Sequence, residues 1–468
     1  MTSRKFQISC LLVFLLSLCL RGAFTRYNRS ANDDHIQVVR LILANNTLPT
    51  KSDCGECFQP KLFHYTVAKV IQMIGMTSAI EYRQVLIGQI LNFFAGILTI
   101  AIVWIFISNY PGENRKLKLF SFSLVALNPV LIGINSQATN DSFVILFSTL
   151  ALYFAYIYLA QQKKYALPLS LLFILLGIAS KLNAWVTAIA IFISILVYAF
   201  VLKGHSIKLI MVAFSYILIV AVLSIFNPLT QYLVNAHEYG SPILSNMDPA
   251  PLPVLFAPPV VGQPSVFSIQ DNLLSYKFIE LLKKPRIEYK PLECPPFCSS
   301  LWTVLYGRAN SLHFDNWPPS WSTSGEDGFT LTRAIFVLAL LPTLLFLAGG
   351  VIEIWSIVQG ILRRDMSSLK AACFGLFGIT GVGFGFFITL YALFYENNTV
   401  MKAIFVFPGL LIFLVFFLKA GEKLYHFICD KSHWLLRILD AWIILLLTLY
   451  VWDVATMILN IYMKLNHI

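Results

Sequence analysis

Apolar runs of roughly 17 to 25 residues, the length a helix needs to cross a bilayer, recur about eleven times along this chain of 468 residues. They lie near 6–23, 84–108, 119–136, 142–160, 165–180, 183–202, 208–226, 332–359, 371–394, 403–419 and 435–459. Inside lipid every backbone polar group has to be satisfied within the protein, so such runs become helices. Composition agrees: 58% of residues are hydrophobic, 12% are charged and mean hydropathy is +0.74. A soluble domain cannot cover its surface with so few charges. The expected fold class is an all-α polytopic membrane protein with about eleven transmembrane helices. Its 38 Phe, 20 Tyr and 9 Trp suit lipid-facing surfaces and interfacial belts.

The net charge of +11 would suggest nucleic acid in a soluble chain; here its distribution follows the positive-inside rule. With the N-terminus in the cytosol beside Arg4 and Lys5, the cytosolic loops hold Arg115, Lys116 and Lys118, then Lys163 and Lys164, then Lys203 and Lys208. Arg363, Arg364 and Lys370 follow, then Lys419, Lys423 and Lys431. The short lumenal connections carry only Lys181 and Lys402. Glycosylation sequons, used only on the lumenal side, fall at Asn28, Asn45, Asn140 and Asn397, all on the expected side. Asn140 lies close to a span, which leaves Asn28, Asn45 and Asn397 as the acceptor candidates. Residues 1–23 read as a first span or signal anchor, with a cleaved signal peptide as the alternative. Either way residue 24 onward enters the lumen, in a protein expected in the endoplasmic reticulum.

The expected organisation is then a first lumenal loop over 24–83, six spans over 84–226, a long lumenal loop over 227–330 and four spans over 331–468. In the first loop, apolar residues from Ile36 to Ile42 have helical spacing, with Asp33 or Asn32 as N-cap. A second helix over 62–76 is amphipathic enough to lie along the interface. The long loop is rich in Pro and aromatic residues, and loops of that length are usually functional. Cys54-Gly-Glu-Cys57 and Cys294-Pro-Pro-Phe-Cys298 place one cysteine pair in each large loop. In an oxidising compartment these are disulfide candidates, with three connectivities open. The same spacing also fits a zinc site with four cysteine ligands.

The residues that look like chemistry are Asp33-Asp34-His35, just past the first apolar run. Paired carboxylates beside a bilayer can keep a base ready; they can equally be an acidic helix cap. His35 next to them is a candidate metal ligand or local hydrogen-bonding group, and a divalent metal stays open. Asp33-Asp34-His35, then Val39-Arg40, Leu48-Pro49 and Cys57-Phe-Gln59-Pro60-Lys-Leu-Phe-His-Tyr65, resembles the first lumenal loop of the GT-C glycosyltransferases. More narrowly it is similar to the protein O-mannosyltransferase and aminoarabinose-transferase-like (family 39-like) group. Thr139-Asn-Asp-Ser142, Ala179-Ser-Lys181-Leu-Asn-Ala184 and Met401-Lys-Ala-Ile-Phe-Val-Phe-Pro408 resemble later motifs of that group, in the same order. Three positions depart from it: Asp34 stands where Glu is usual, Lys61 replaces a Pro, and Ile404 replaces an Arg suited to a donor phosphate.

The resemblance implies transfer of a sugar, mannose being the common theme, from a dolichyl- or other polyprenyl-phosphate donor to a lumenal hydroxyl. The acceptor is left open among protein, glycan and lipid. Asp33 would be the general base, with Asp34 its neighbour or cap. Negative charge building on the departing phosphate needs cations. Lys181, Lys402 and Arg83 are the candidates, each also an ordinary interface anchor. Asp141, His313 and Asp315 are candidates for supporting or acceptor contacts. Two other classes remain: a non-catalytic GT-C-like subunit or chaperone of a lumenal complex, and a transporter. The apolar runs carry little charge, Glu353 being the main exception, and show no internal repeat, which disfavours transport. Glycosylation mapping should place 227–330 on the same side as 24–83 and opposite Lys163-Lys164. A cytosolic long loop would overturn the topology and the chemistry together.

Overall fold

The structure, a computed structural model, describes residues 1–29, 34–112, 114–201, 207–245, 268–287, 295–315, 321, 326–363, 365–371, 373–395, 401–429 and 431–466. Asn32, Asp33, Cys294 and Asn397 lie outside the described residues. The described chain is helical, without a strand, and is an all-α polytopic membrane protein. Among the described residues seven helices are long and apolar enough to cross a membrane, eight with a bent pair counted as one span. The remaining apolar runs lie on Ala166–Ser180 and Ala184–Val201, which are shorter, and on Leu410–Cys429, which carries Lys419, Glu422 and Lys423. The bent pair is Arg115–Ala126 with Pro129–Asn135, at 46°. Pro129 has no N–H to continue the first helix. It starts the next one instead, behind Asn128, whose Oδ1 accepts from the Leu131 amide at 2.9 Å.

The first helix, Ser3–Tyr27, is packed into the bundle through Phe6, Cys10, Ser17, Arg21 and Phe24. Arg21 is 1% exposed. Its Nε donates to Asn135 Oδ1 at 2.9 Å and its Nη1 to the Ala126 carbonyl at 2.9 Å. Those acceptors flank the bend, so one side chain ties the first helix to both halves of the broken span. Further in, Phe106 meets Tyr156 and Phe377 edge to face, with centroids 5.3 and 5.6 Å apart.

In lipid, helices associate by close packing rather than by escape from water, so small residues mark the tightest crossings. The Glu326–Arg363 helix meets Leu410–Cys429 at Gly349-Gly350, where Phe416 lies against the glycines. A Cβ at Gly349 would collide with the Phe416 carbonyl oxygen.

The first loop and the start of the long segment meet at one end of this bundle. His35–Asn45 packs on Leu62–Met73 through Val38, Val39, Ile42, Phe63, Val67 and Ile71. The first of these helices begins at His35 with Asp34 as its N-cap, in place of the Asn32 or Asp33 that the spacing suggested, and the Asp34 side chain makes no capping bond. The loop between them is held by the start of the long segment: the Lys61 amide donates to the Leu229 carbonyl at 2.6 Å, and the Ser52 amide to Tyr239 Oη at 3.1 Å. The later part of that segment docks on the last helix, where buried Asp453 accepts from Ser311 Oγ at 2.9 Å and the Leu312 amide at 2.8 Å.

Gly349→Ala should lower unfolding stability by about 2 kcal/mol, the scale of overpacking, whereas Gly385→Ala, with nothing within 4 Å of the added methyl, should be neutral. Thermal or denaturant unfolding of the purified protein in detergent measures both.

Candidate active site

At this end the structure holds a cavity of about 560 Å³, within the usual size of a ligand site. Its polar lining includes His35, Glu56, Gln59, Asp141, Lys181, Asn183 and Lys402; Phe387, Tyr391, Phe394, Ile404 and Phe405 supply an apolar wall. The central charged pair is placed by the ends of helices. Asp141 is in the first turn of Asp141–Gln161, where the helix dipole favours a carboxylate. Lys181 caps Ala166–Ser180 in an extended conformation, φ −161° and ψ 143°, before the chain turns into Ala184–Val201. The two side chains form an ion pair, Nζ to Oδ1 at 2.6 Å, with 13% and 6% of their side-chain surface exposed. The ammonium also lies 5.1 Å from the Phe405 ring centroid. Lys402 comes from the far end of the chain, just ahead of the short turn Ala403–Phe405.

Behind the ion pair runs a row of amides. Asn140 is fully buried, and its amide nitrogen donates to Gln59 Oε1 at 2.5 Å and to the Ser180 carbonyl at 2.9 Å. Gln59 in turn donates to the carboxylate of Glu56. The buried ammonium of Lys61 donates to the carbonyls of Cys57 and Gln59. Burial pushes its pKa down to about 7, with Glu56 and then Asp53 pulling the other way. His35 Nδ1 is 2.8 Å from Nε2 of His64, with the rings stacked 5.1 Å apart. Burial, then His35 and Lys61, hold the His64 pKa well below the usual imidazole value, so the pair is built from a neutral ring.

Of the residues singled out by sequence, Lys181, Lys402, Asp141 and His35 share this cavity. Asp34 is exposed and is not part of its lining. Arg83 is exposed at the start of Glu81–Asn109 and does not line it either. His313 and Asp315 are also elsewhere. His313 Nε2 is 3.0 Å from Thr456 Oγ1 on the last helix, and Asp315 accepts from Arg308 Nε at 2.9 Å. Arg308 reaches the Met401 carbonyl with its Nη1 at 3.2 Å, which braces the backbone beside Lys402. Glu56, Asn140 and Asn183 were missed as site residues. The available signals were an acid bracketed by two cysteines and two amides inside the Thr-Asn-Asp-Ser and Lys-Leu-Asn-Ala motifs.

Cys54 and Cys57 form a disulfide, and Cys298 is also disulfide-bonded, which removes the four-cysteine zinc alternative. Among the described residues no three of His, Cys, Asp or Glu gather where a metal ion would be held. Asn28 corrects another expectation. It is 1% exposed, its amide nitrogen donates to the Ser136 carbonyl at 3.0 Å, and its Oδ1 accepts from Trp321 at 3.2 Å. A glycan has no room on that nitrogen in this fold. Asn140 is closed off in the same way, whereas Asn45 is exposed at the end of its helix.

No protein-family model matches the chain, and no curated protein matches it in sequence. Solved structures do match in shape. The oligosaccharyltransferase of Archaeoglobus fulgidus, crystallised with zinc and sulfate, aligns at 14% identity and a TM-score of 0.51, over 95% of this chain and 53% of that one. At this identity the likeness is one of fold. A second structure of the archaeal oligosaccharyltransferase AglB, with an inhibitory peptide and a dolichol-phosphate, aligns at 13% identity and 0.49, over 97% of this chain and 55% of that one. ArnT from Cupriavidus metallidurans, bound to undecaprenyl phosphate, aligns at 13% identity and 0.31, over 86% and 77%. The chain spans about half the length of the oligosaccharyltransferases it matches.

The lowered Lys61 pKa has a sign that can be measured. Below about pH 7 the lysine is protonated folded or unfolded. Between about 7 and the ordinary lysine value of 10.5 only the unfolded chain holds the proton, so stability should rise with pH there. The limiting slope is about 1.4 kcal/mol per pH unit. Thermal unfolding across this window should show a shallower rise in Lys61→Met than in wild type.

Proposed function

We propose that this chain is a membrane glycosyltransferase moving a sugar from a polyprenyl-phosphate donor to an acceptor hydroxyl. The observation that carries the proposal is the meeting of Lys181 and Lys402, from loops far apart in sequence, at one cavity with an apolar wall. Cations beside an apolar surface are what a phosphate on a hydrocarbon chain requires. The GT-C fold and the motif order of the first loop support the same reading. In its finer form the donor is dolichyl-phosphate-mannose and the site faces the lumen of the endoplasmic reticulum, with the N-terminus cytosolic.

In the reaction proposed, the acceptor oxygen attacks C1 of the sugar while the bond from C1 to the phosphate oxygen breaks. The electron pair of that bond stays on the polyprenyl phosphate, which leaves. The acceptor proton passes to a carboxylate, assigned to Asp33 by its place in the motif. Lys402 and Lys181 face the charge that grows on the departing phosphate. Asp141 acts on Lys181: it fixes the ammonium at the cavity wall and reduces its net charge before a donor arrives. Lys serves here as a point charge without the bidentate geometry of Arg. Ile404 lines the same cavity in place of the group's Arg, so Lys402 is the cation on that side.

That substitution is the observation favouring a second reading, a GT-C-like subunit without activity of its own. Transfer of radiolabelled mannose from dolichyl-phosphate-mannose in membranes carrying the protein separates the two. Asp33→Asn should cut transfer by roughly 100-fold or more, the scale for a lost general base, and Asp34→Asn by less. Lys402→Met should weaken dolichyl-phosphate binding by roughly 10-fold, as expected for a lost charged contact. Wild-type transfer in all three variants would leave the non-catalytic subunit as the better account.

A further inference from the structure

Asp141 is matched by Lys181, but the cavity holds a second carboxylate, Glu56, that the phosphate chemistry does not use. It sits in a turn closed on itself. The Cys54–Cys57 disulfide brackets it, the Cys57 amide donates to the Cys54 carbonyl at 3.1 Å, and Lys61 holds the carbonyls of Cys57 and Gln59 from the protein side. Gln59 donates to Oε2 of Glu56, the one hydrogen bond to that carboxylate among the described residues.

Asn183 gives an independent indication. It lines the cavity at 3% exposure and its amide nitrogen donates to the Phe405 carbonyl at 3.1 Å. Its carbonyl oxygen is buried with no hydrogen-bond partner among the described residues. An unmet buried acceptor costs free energy unless a ligand supplies the donor.

A carboxylate and an amide oxygen are both acceptors, and a phosphate offers them nothing but repulsion. Sugar hydroxyls are neutral donors and answer both. We propose that Glu56, presented by the disulfide-closed turn, together with Asn183, reads the sugar of the donor by accepting hydrogen bonds from its hydroxyls. This deepens the glycosyltransferase reading and rests on it. In this arrangement the lysines recognise any lipid phosphate, and Glu56 separates a sugar-bearing lipid from the bare product. The disulfide is a positioning element: opened, it leaves the phosphate contacts intact and frees the carboxylate to turn away.

The test compares three probes on the purified full-length protein in nanodiscs: dolichyl phosphate, dolichyl-phosphate-mannose and dolichyl-phosphate-glucose. Wild type should bind at least one of the two sugar lipids more tightly than dolichyl phosphate. Glu56→Ala should erase that preference, by roughly 10-fold for the loss of a charged hydrogen bond. Its affinity for dolichyl phosphate should be unchanged or higher, because a negative charge is gone. Asn183→Ala and the Cys54→Ser, Cys57→Ser double variant should move in the same direction, and Lys402→Met should weaken all three probes. The inference is overturned if wild type shows no preference for either sugar lipid, or if Glu56→Ala weakens all three probes equally. Absence of dolichyl-phosphate binding by wild type would instead bring down the glycosyltransferase reading beneath it. Retained dolichyl-phosphate binding by the variants shows that they are folded.

Discussion

The ion pair between Lys181 and Asp141 organises the functional end of this protein. Removing either charge from water is expensive, and a pair this enclosed persists only where its neighbours complete the arrangement. Here they do. The pair joins the start of one helix to the turn between two others, and Asn140, next in sequence to Asp141, carries the connection to Gln59 in the first loop. The disulfide-closed turn is thereby set against the rest of the cavity. If Asp141 were lost, an uncompensated ammonium would sit against Phe405. If Lys181 were lost, the carboxylate would keep only the helix dipole.

The same economy recurs through the bundle. Arg21, Glu353 with Lys419, and Asp453 are charged groups inside or beside spanning helices, and each is met by named partners. Arg21 uses carbonyl and amide oxygens laid open by the bend at Pro129. Asp453 uses a hydroxyl and a backbone amide from the long segment, so the last helix and that segment position each other. Helices that gain little from apolar contact in lipid are fixed by such polar ties and by tight crossings such as that at Gly349.

Much of this was legible in the sequence. Each apolar run lies on a helix or on the bent pair, because length and hydropathy leave membrane segments few alternatives. The lone lysines of two short connections, conspicuous because a charge there is costly, do come together. Other features depended on tertiary packing that no local pattern encodes. Arg83 has the residue type of a phosphate contact but is exposed and does not line the cavity. His313 and Asp315 looked like an acceptor site and instead belong to the brace between the long segment and the rest of the bundle. The Asn28 sequon has the right three residues, yet its amide faces Ser136 and Trp321. Glu56 was overlooked because the cysteines around it drew attention to pairing rather than to what the pair encloses.

The two cavity lysines are supplied by distant stretches of chain, and the carboxylate paired with Lys181 lies in the same half of the sequence as Lys181. During synthesis, therefore, the early half can complete the Lys181–Asp141 pair before the rest of the cavity exists. Lys402 joins the lining only once the Leu376–Tyr395 span has been made and the following turn has closed on Asn183 through the Phe405 carbonyl. A chain cut short before that turn would keep its salt bridge and still lack one wall of the cavity.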